Sequence, residues 1–488
     1  MGLTFDSTFS FGYIFGFSYL TMKASIAAAS VALSATLAAA TPTLQARASG
    51  TSSTSLPTVT VKGNAFFAGN NRFYIRGVDY QPGGSSDAKD PLADEAGCMR
   101  DIKYFKQLGI NTIRVYTVDN SVNHDTCMNA LADAGIYVAL DVNTPLYSLR
   151  RDKPAISYNA VYLQSLFATV DAFANYTNTL LFFSGNEVIN DDTTTNCAPY
   201  IKAVTRDLKQ YRNNRGYRAI PIGYSAADVT DNRYETAQYM NCGTDDQRSD
   251  FFAFNDYSWC DPSSFTISGW DQKVQTYNNY SLPLFLSEYG CIKGTRKFEE
   301  VSALYNSEMT GVYSGGLVYE YSEEGSGFGL VQISGDSITP KDDFTYLQAA
   351  FSNNTAPSGD GGYKSSGTAS TCPPASDTWD TGDFTGEDLP AIPSDATKYM
   401  TSGAGKGPGL SGGGSQDAGS DTVSTASAGS GSATRTASGA SSTGTGSASS
   451  SSTATGAASR VSMGELSFAP LVMTGLVALS TLLGATLL

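Results

Sequence analysis

Two glutamates follow apolar stretches of the chain that are typical of buried parallel strands. Residues 180–187 read LLFFSGNE and residues 282–290 read LPLFLSEYG, which places Glu187 and Glu288 after runs of large apolar side chains. Such a run is typical of a strand buried on both faces, and in a barrel of such strands the polar residues at the carboxyl ends face the reaction site. Two facing carboxylates can cleave a glycosidic bond, because one protonates the leaving oxygen while the other attacks the anomeric carbon. The alternative is that each glutamate only opens a polar loop.

Eight short apolar segments alternate with helical patterns and would position this pair. They span residues 73–80, 111–116, 136–142, 180–187, 219–226, 251–259, 282–290 and 315–322. Amphipathic helices such as 98–109 and 198–214 lie between several of them. This alternation predicts a (β/α)8 TIM barrel over residues 55–350, with Glu187 and Glu288 at the ends of strands four and seven, across the barrel mouth from each other. The alternative, a doubly wound open sheet, is weakened because no G-x-G-x-x-G follows the first strand.

Aromatic residues gather at or near the same predicted strand ends. They are Tyr80, Tyr116, Tyr257, Trp259, Tyr289, Tyr319 and Tyr321. Sugars present flat C–H faces and many hydroxyls, which suit aromatic platforms with polar groups beside them. Each ring taken singly could equally be a packing residue, but the set predicts sugar subsites.

Composition argues against several other kinds of chemistry. The 488 residues include 46 acids and 31 bases, a formal charge of −15, which disfavours nucleic-acid binding. His124 is the single histidine, so a multi-histidine metal site is disfavoured and a serine hydrolase would have only this base. Since His124 lies where a helix begins, we predict a capping or surface role for it. No metal or cofactor is expected.

The two ends of the chain predict export and anchoring. Residues 1–46 are predicted to be an N-terminal extension followed by a signal peptide that starts at Met22. Residues 22–46 place one lysine before an Ala-rich apolar run that closes with small residues, which is typical of a signal peptide cleaved just after Ala46. A transmembrane anchor is the alternative. Residues 457–488 end in an uncharged apolar tail after a polar spacer, the pattern of a removed glycolipid-anchor signal. The alternative there is a membrane helix, although no Lys or Arg follows it.

The stretch before that tail has a composition that cannot form a core. Residues 396–456 are almost wholly Gly, Ser, Ala and Thr, which predicts a disordered, O-glycosylated stalk. A tail of residues 351–395 would join the barrel to this stalk. N-x-S/T sequons at Asn175, Asn279 and Asn353 suit a secreted surface.

Four motifs together resemble a known family. FFSGNEVIND, LFLSEYGC, IRVYTVD and GGLVYEYSEE resemble the fungal β-1,3-glucanosyltransferases of glycoside hydrolase family 72, over about residues 55–372. The resemblance implies a retaining reaction that cleaves an internal linkage of β-1,3-glucan and transfers the new end to another glucan. In it, Glu187 matches the acid/base and Glu288 the nucleophile. Since no Cys follows Cys372, the chain resembles the members without a Cys-rich carbohydrate-binding module.

The same resemblance implies roles for other residues. Asn186 would bond the 2-hydroxyl of the donor sugar. The donor side would be contacted by Tyr116, by the loop from Asn143 to Arg151 and by Tyr319, and the acceptor side by Asp228 and Arg233. Tyr80 and Tyr257 are added to the substrate-binding set from their predicted places at strand ends.

Seven cysteines in an exported chain should mostly pair, and one is left over. The sequence alone does not fix the pairing. Family positions imply Cys98–Cys127, Cys242–Cys372 and Cys260–Cys291, with Cys197 as the odd thiol. The second pair would tie the 351–395 tail back to the barrel.

The resemblance also implies partners and a location. We expect a monomer that acts on donor and acceptor glucan chains, held at the outer face of the cell membrane by its glycolipid anchor or transferred to the cell wall. One alternative function is an endo-β-1,3-glucanase that uses the same two acids for hydrolysis. Another is a wall protein that binds glucan without cleaving it, although both acids are present.

Overall fold

Residues 56–420 and 424–426 are described by the computed structural model, and they begin with a small antiparallel sheet. Its strands are β1 (Val59–Lys62), β2 (Ala65–Ala68) and β3 (Asn71–Phe73). This sheet was not predicted from the sequence, because its strands are only three or four residues long.

A closed barrel of eight parallel strands follows. The strands are β4 (Ile75–Asp79), β5 (Thr112–Val115), β6 (Tyr137–Asp141), β7 (Thr179–Asn186), β8 (Ile222–Ala227), β9 (Phe251–Asn255), β10 (Leu284–Tyr289) and β11 (Tyr313–Val318). Each pairs with its neighbour along the chain, and β11 closes the ring on β4. The predicted (β/α)8 barrel is confirmed, and each of the eight predicted strands overlaps one barrel strand. The open-sheet alternative is wrong.

Helices occupy the connections between the strands. They are α1 (Glu95–Leu108), α2 (Asp125–Asp133), α3 (Pro154–Ser157), α4 (Ala160–Phe173), α5 (Ala198–Asn214), α6 (Arg233–Asn241), α7 (Trp270–Tyr277), α8 (Glu300–Leu304), α9 (Asp342–Asn353) and α10 (Thr397–Ser402), with 3₁₀ helices at Asp192–Cys197 and Ser394–Ala396. Local signals fix their ends: the Asp94 side chain accepts from the Gly97 amide over 3.0 Å before α1, and Gly109 ends α1 with φ 71°. The described part also contains a hairpin of β12 (Val331–Ser334) with β13 (Ser337–Pro340), and an antiparallel pair in which β14 (Leu389–Pro390) meets β15 (Thr425–Ala426) from far along the chain.

Aromatic side chains fill the half of the barrel interior that lies toward the amino-terminal ends of the strands. The rings of Phe183, Phe251 and Phe285 lie 5.4–6.0 Å apart, centroid to centroid. Phe66 of β2 reaches them from below, 6.3 Å from Phe251 and 5.9 Å from Phe285. The small N-terminal sheet therefore closes the amino-terminal end of the barrel and contributes to its core.

Covalent links hold the outside of the barrel. The structure has the disulfides Cys98–Cys127, Cys242–Cys372 and Cys260–Cys291, the pairs that the family resemblance implies, and Cys197 is a buried free thiol. His124 lies at the N-cap position of α2 but is buried, and its Nε2 is 2.7 Å from an Asp90 carboxylate oxygen. The predicted N-cap position of His124 is confirmed, although its side chain makes no capping hydrogen bond. The alternative surface role is wrong, because Asp90 gives this ring a polar partner in the protein interior.

The predicted start of the stalk at residue 396 needs correction. Residues 397–420 follow the outside of α4 and α5. The Ala404 amide donates to the hydroxyl of Tyr211 on α5 over 2.7 Å, and the Gly409 amide donates over 3.0 Å to Oδ1 of Asn120, which lies between β5 and α2. Small residues let this backbone approach the helices closely, which composition alone does not reveal. The rest of the predicted stalk, apart from residues 424–426, lies outside the described residues, as do the predicted signal peptide and anchor signal. No helix in the described part has the length and apolar character to cross a membrane.

Candidate active site

Glu288 lies near the carboxyl end of β10 in a cage of hydrogen-bond donors. Its Oε1 accepts from the Tyr116 hydroxyl over 2.8 Å and its Oε2 accepts from the Tyr257 hydroxyl over 2.7 Å. The guanidinium of Arg114 lies 3.4 Å from Oε1. Burial raises the pKa of Glu288 to about 7, against the opposing effects of Arg114 and the two hydroxyls. The donors fix both carboxylate oxygens and favour the ionised form.

Arg114 organises the polar layer above the aromatic core. This fully buried side chain of β5 donates to Asp141 Oδ2 over 2.9 Å and to Asn186 Oδ1 over 2.9 Å. Its guanidinium also lies 4.4 Å from the Phe183 ring centre. Asp79, on the neighbouring β4, is buried without a hydrogen-bond partner among the described residues, and burial raises its pKa well above the usual range. One arginine thus links the core to the nucleophile candidate.

Glu187 directly follows β7 and has an uncommon backbone conformation. Its φ is 48°, in the left-handed region that residues other than glycine rarely adopt. Its Oε1 accepts from Asn255 Nδ2 over 2.9 Å. Arg151 holds the main chain from outside, because its guanidinium donates to the Glu187 carbonyl over 2.6 Å and to the Val188 carbonyl over 3.1 Å. The turn aims this carboxylate while leaving it partly exposed.

Asn186 is oriented by its side-chain oxygen. Oδ1 accepts from Arg114, from Ser225 Oγ over 2.7 Å and from Asn255 Nδ2 over 3.2 Å. With the oxygen occupied by three donors, the amide nitrogen donates to no acceptor in the described part of the chain and is available to a ligand hydroxyl. This orientation agrees with the role that the resemblance implies for Asn186.

Three of the predicted aromatic residues lie at the site. Tyr116 and Tyr257 bind Glu288, and Tyr319 packs between them, with its ring 6.4 Å from that of Tyr116 and 6.5 Å from that of Tyr257. The Tyr319 hydroxyl is 3.1 Å from Ser85 Oγ.

Tyr80, predicted to bind substrate, does not reach the site. It is buried, and its hydroxyl donates to Asp101 Oδ2 of α1 over 2.8 Å. Successive strand residues point to opposite faces, so Asp79 points into the barrel and Tyr80 points out beneath the helices. The other strand-end aromatics, Trp259, Tyr289 and Tyr321, are likewise buried in the core.

A cavity of about 570 Å³ adjoins the site on one side. Its walls include Tyr257 and Asn255, together with Asp228 and Arg233, which the resemblance places on the acceptor side. Asp228 is ion-paired with Arg233 over 3.0 Å and with Lys273 over 2.6 Å. Asn143, on the implied donor side, has a buried side-chain oxygen without a partner among the described residues.

Sequence reasoning missed two residues that hold this site together. Arg114 carried a signal, since it is a lone charge inside the apolar segment TIRV. Asn255 ends β9 and links both glutamate strands, because its Nδ2 reaches Glu187 while its Oδ1 accepts from Ser287 Oγ over 2.8 Å. No group of His, Cys, Asp and Glu in the described part has the arrangement of a metal site. Two carboxylates, one caged and buried and one partly exposed, suit acid–base and nucleophilic chemistry at an acetal carbon.

Comparisons with known proteins agree with this geometry. The profile of glycoside hydrolase family 72, described as Glucanosyltransferase, matches residues 48–355. The 1,3-beta-glucanosyltransferase gel1 of Aspergillus fumigatus is 64% identical over 393 residues, which cover 80% of this chain and 85% of the relative. GAS5 of Saccharomyces cerevisiae, also named a 1,3-beta-glucanosyltransferase, is 54% identical over 74% of this chain and 75% of its own.

Solved structures similar to this chain include complexes of the Gas2 protein. A mutant of Saccharomyces cerevisiae Gas2p in complex with laminaritetraose and laminaripentaose superposes with a TM-score of 0.64 at 35% identity, covering 70% of this chain and 75% of that chain. Another Gas2 complex, with a compound numbered 7, gives a TM-score of 0.65 at 36% identity, covering 70% of this chain and 78% of that one.

Proposed function

The chain belongs to the glucanosyltransferases of glycoside hydrolase family 72, and on that premise we propose that it cleaves an internal β-1,3-glucan linkage and transfers the new reducing end to the non-reducing end of another glucan. The observation that carries the proposal is the Glu288 carboxylate, held by Tyr116, Tyr257 and Arg114 beside a second carboxylate. Repeated transfer elongates the glucan.

In the first half of the reaction, Glu288 acts as the nucleophile. Its ionised oxygen attacks the anomeric carbon of an internal glucose, and the C–O bond to the reducing-end fragment breaks. Protonated Glu187 gives its proton to the departing oxygen, which leaves as a hydroxyl. The Asn186 amide, held by Arg114, donates to the 2-hydroxyl of the donor sugar.

In the second half, Glu187 acts as the base. A hydroxyl of an incoming glucan gives its proton to Glu187, and the hydroxyl oxygen displaces Glu288 from the anomeric carbon. Two displacements at that carbon retain its configuration. Transfer exceeds hydrolysis only where the acceptor is held in place of water, and the cavity that contains Asp228 and Arg233 offers such a place beside Tyr257.

Product sizing tests the proposal. The purified enzyme is incubated with a β-1,3-glucan oligosaccharide whose reducing end has been reduced, and the products are sized over time, with Glu288→Gln as the inactive control. Transfer predicts products longer than the starting oligosaccharide. If the wild-type enzyme makes only shorter products, the endo-glucanase alternative holds. If it binds the oligosaccharide without changing it, the non-catalytic alternative holds.

We propose in addition that the protein is an exported, membrane-anchored monomer. The support is the sequence pattern at the two ends, where an Ala-rich run precedes Ala46 and an uncharged apolar tail closes residues 457–488. An enzyme held at the outer face of the membrane meets glucan where the wall is built.

A further inference from the structure

The chain beyond α10 forms a strap, residues 403–417, that crosses the outside of α4 and α5. Gln164 of α4 donates to the carbonyls of Ala404 and Lys406, in both cases over 2.9 Å. With the Tyr211 and Asn120 contacts described above, these bonds attach the first half of the strap to the barrel. The strap is therefore part of the folded domain, although it lies beyond the family match.

The second half of the strap binds the loop after β6. The Ser415 amide donates to the Leu146 carbonyl over 2.9 Å, and the Ser415 carbonyl accepts from Asn159 Nδ2 over 2.7 Å. Gln416 Nε2 donates to Ser148 Oγ over 2.8 Å, and Asp417 forms an ion pair with Arg150. Ser415 is fully buried by these contacts. Both ends of residues 146–159 are thus bound by three consecutive strap residues.

That loop also carries Arg151, which holds the main chain of Glu187. Arg151 follows the Asp417-paired Arg150 directly, and its guanidinium donates to the carbonyls of Glu187 and Val188. A left-handed φ at a glutamate persists only when the surroundings hold it. A continuous set of contacts therefore connects the strap to the backbone conformation of Glu187.

We propose that the strap positions Glu187 through Arg151, so that proton transfer to the leaving oxygen depends on residues 403–417. The strap residues are positioning residues, because they act through the loop that carries Arg151. This inference rests on the proposed roles of Glu187 and Glu288. It also means that the catalytic domain extends to about residue 417, whereas composition places the stalk from 396.

Two adjacent glycines provide a matched test in the full chain. A Cβ on Gly412 would lie 1.9 Å from the Tyr147 hydroxyl oxygen, whereas a Cβ on Gly413 meets nothing within 4 Å. Tyr147 is buried beside Leu146 in the loop. Gly412→Val should therefore displace the strap from the loop, and Gly413→Val should leave it in place.

The readout is the dependence of activity on leaving-group protonation. General acid catalysis typically contributes 10²–10⁴-fold, so we expect Gly412→Val to lower kcat on glucan by roughly tenfold or more. With a β-glucanosyl fluoride, whose fluoride departs with little protonation, and with added azide, which attacks the intermediate without a base, the rate of fluoride release should fall by less than about twofold. Gly413→Val should resemble wild type with both donors. Equal losses of Gly412→Val with both donors, or no loss with glucan, would overturn the inference.

A milder variant covers the case in which Gly412→Val does not fold. Asp417→Ala removes only the exposed ion pair with Arg150, and it should lower activity on glucan more than on the fluoride. In the Arg151→Ala background, either strap variant should add almost no further loss, because residues that act through one contact are not additive. Additive losses would overturn the inference. A wrong proposed function would give a different result, because the wild-type enzyme itself would then lengthen no oligosaccharide.

Discussion

The hydroxyl of Tyr257 donates a hydrogen bond to Oε2 of Glu288 over 2.7 Å. Burial raises the pKa of Glu288 to about 7, and this bond lowers it because a donor favours the charged form. The nucleophile must be ionised, so Tyr257→Phe should raise the pKa further and move the acid limb of kcat/KM to higher pH. Rates measured from about pH 4 to about pH 9 test this shift.

Tyr319→Phe is the matched control for that experiment. Its hydroxyl contacts Ser85 and not Glu288, so its acid limb should coincide with that of the wild type. Equal shifts in the two variants would mean that the Tyr257 bond does not set the pKa of Glu288.

An activated donor should distinguish the role of Glu288 from that of Glu187. Glu288→Gln lacks the nucleophile, so it should form no covalent intermediate from any donor. Glu187→Gln lacks proton donation, which costs roughly 10²–10⁴-fold with glucan, but it should still react with a β-glucanosyl fluoride. Added azide should trap that intermediate as a β-glycosyl azide. If the fluoride rescues Glu288→Gln and not Glu187→Gln, the roles are reversed.

Glu288→Gln should be more stable than wild type at neutral pH. The folded pKa of about 7 exceeds the ordinary value of 4.5, so the unfolded chain releases this proton first and the folded state loses stability as pH rises between the two values. Glutamine carries no such charge. The difference in unfolding free energy should grow over that window to at most about 3 kcal/mol.

Urea unfolding at about pH 4.5 and about pH 8 measures this difference. The exposed Glu308→Gln is the control and should show little change between the two conditions. A difference for Glu288→Gln that stays flat or shrinks with rising pH contradicts the raised pKa.

The disulfides should contribute unequally to stability. Cys242–Cys372 spans 130 residues and Cys98–Cys127 spans 29. In the chain-entropy model a longer closed loop restricts the unfolded chain more, so replacing both cysteines of the first pair by serine should cost roughly 1 kcal/mol more than the same change in the second. Denaturant midpoints of the two double variants provide the comparison. The reverse order would mean that strain or residual unfolded structure dominates.

Peptide mapping tests the anchor proposal. If residues 457–488 contain an anchor signal, it is removed on attachment, and the mature protein should yield no peptide from 467–488. Phospholipase release from membranes should accompany that loss. Recovery of the intact segment LVMTGLVALSTLL would indicate a membrane helix.

Apolar runs made the barrel strands predictable, because parallel strands buried on both faces consist almost entirely of large apolar residues. Glu187 and Glu288 could be predicted for the same reason, as acids that close two of those runs. The direction of the Tyr80 side chain could not be predicted. Side chains alternate along a strand, so a shift of one residue decides whether a side chain points into the barrel or outward beneath the helices. No sequence pattern indicated that Ser415 binds the barrel, because its hydrogen bonds are made by its main chain, which has the same polar groups in almost every residue.

Phe66 has a consequence for how a polymer meets the enzyme. Because this ring and its sheet close the far end of the barrel, the interior is a dead end and no sugar chain can thread through it. Every glucan chain must therefore enter and leave the site through the mouth, and an internal linkage reaches Glu288 only when the chain lies across that mouth. With the internal cleavage proposed above, a chain lying across the mouth can be cut at any linkage along its length, and a long glucan should give fragments of many lengths instead of losing one sugar at a time.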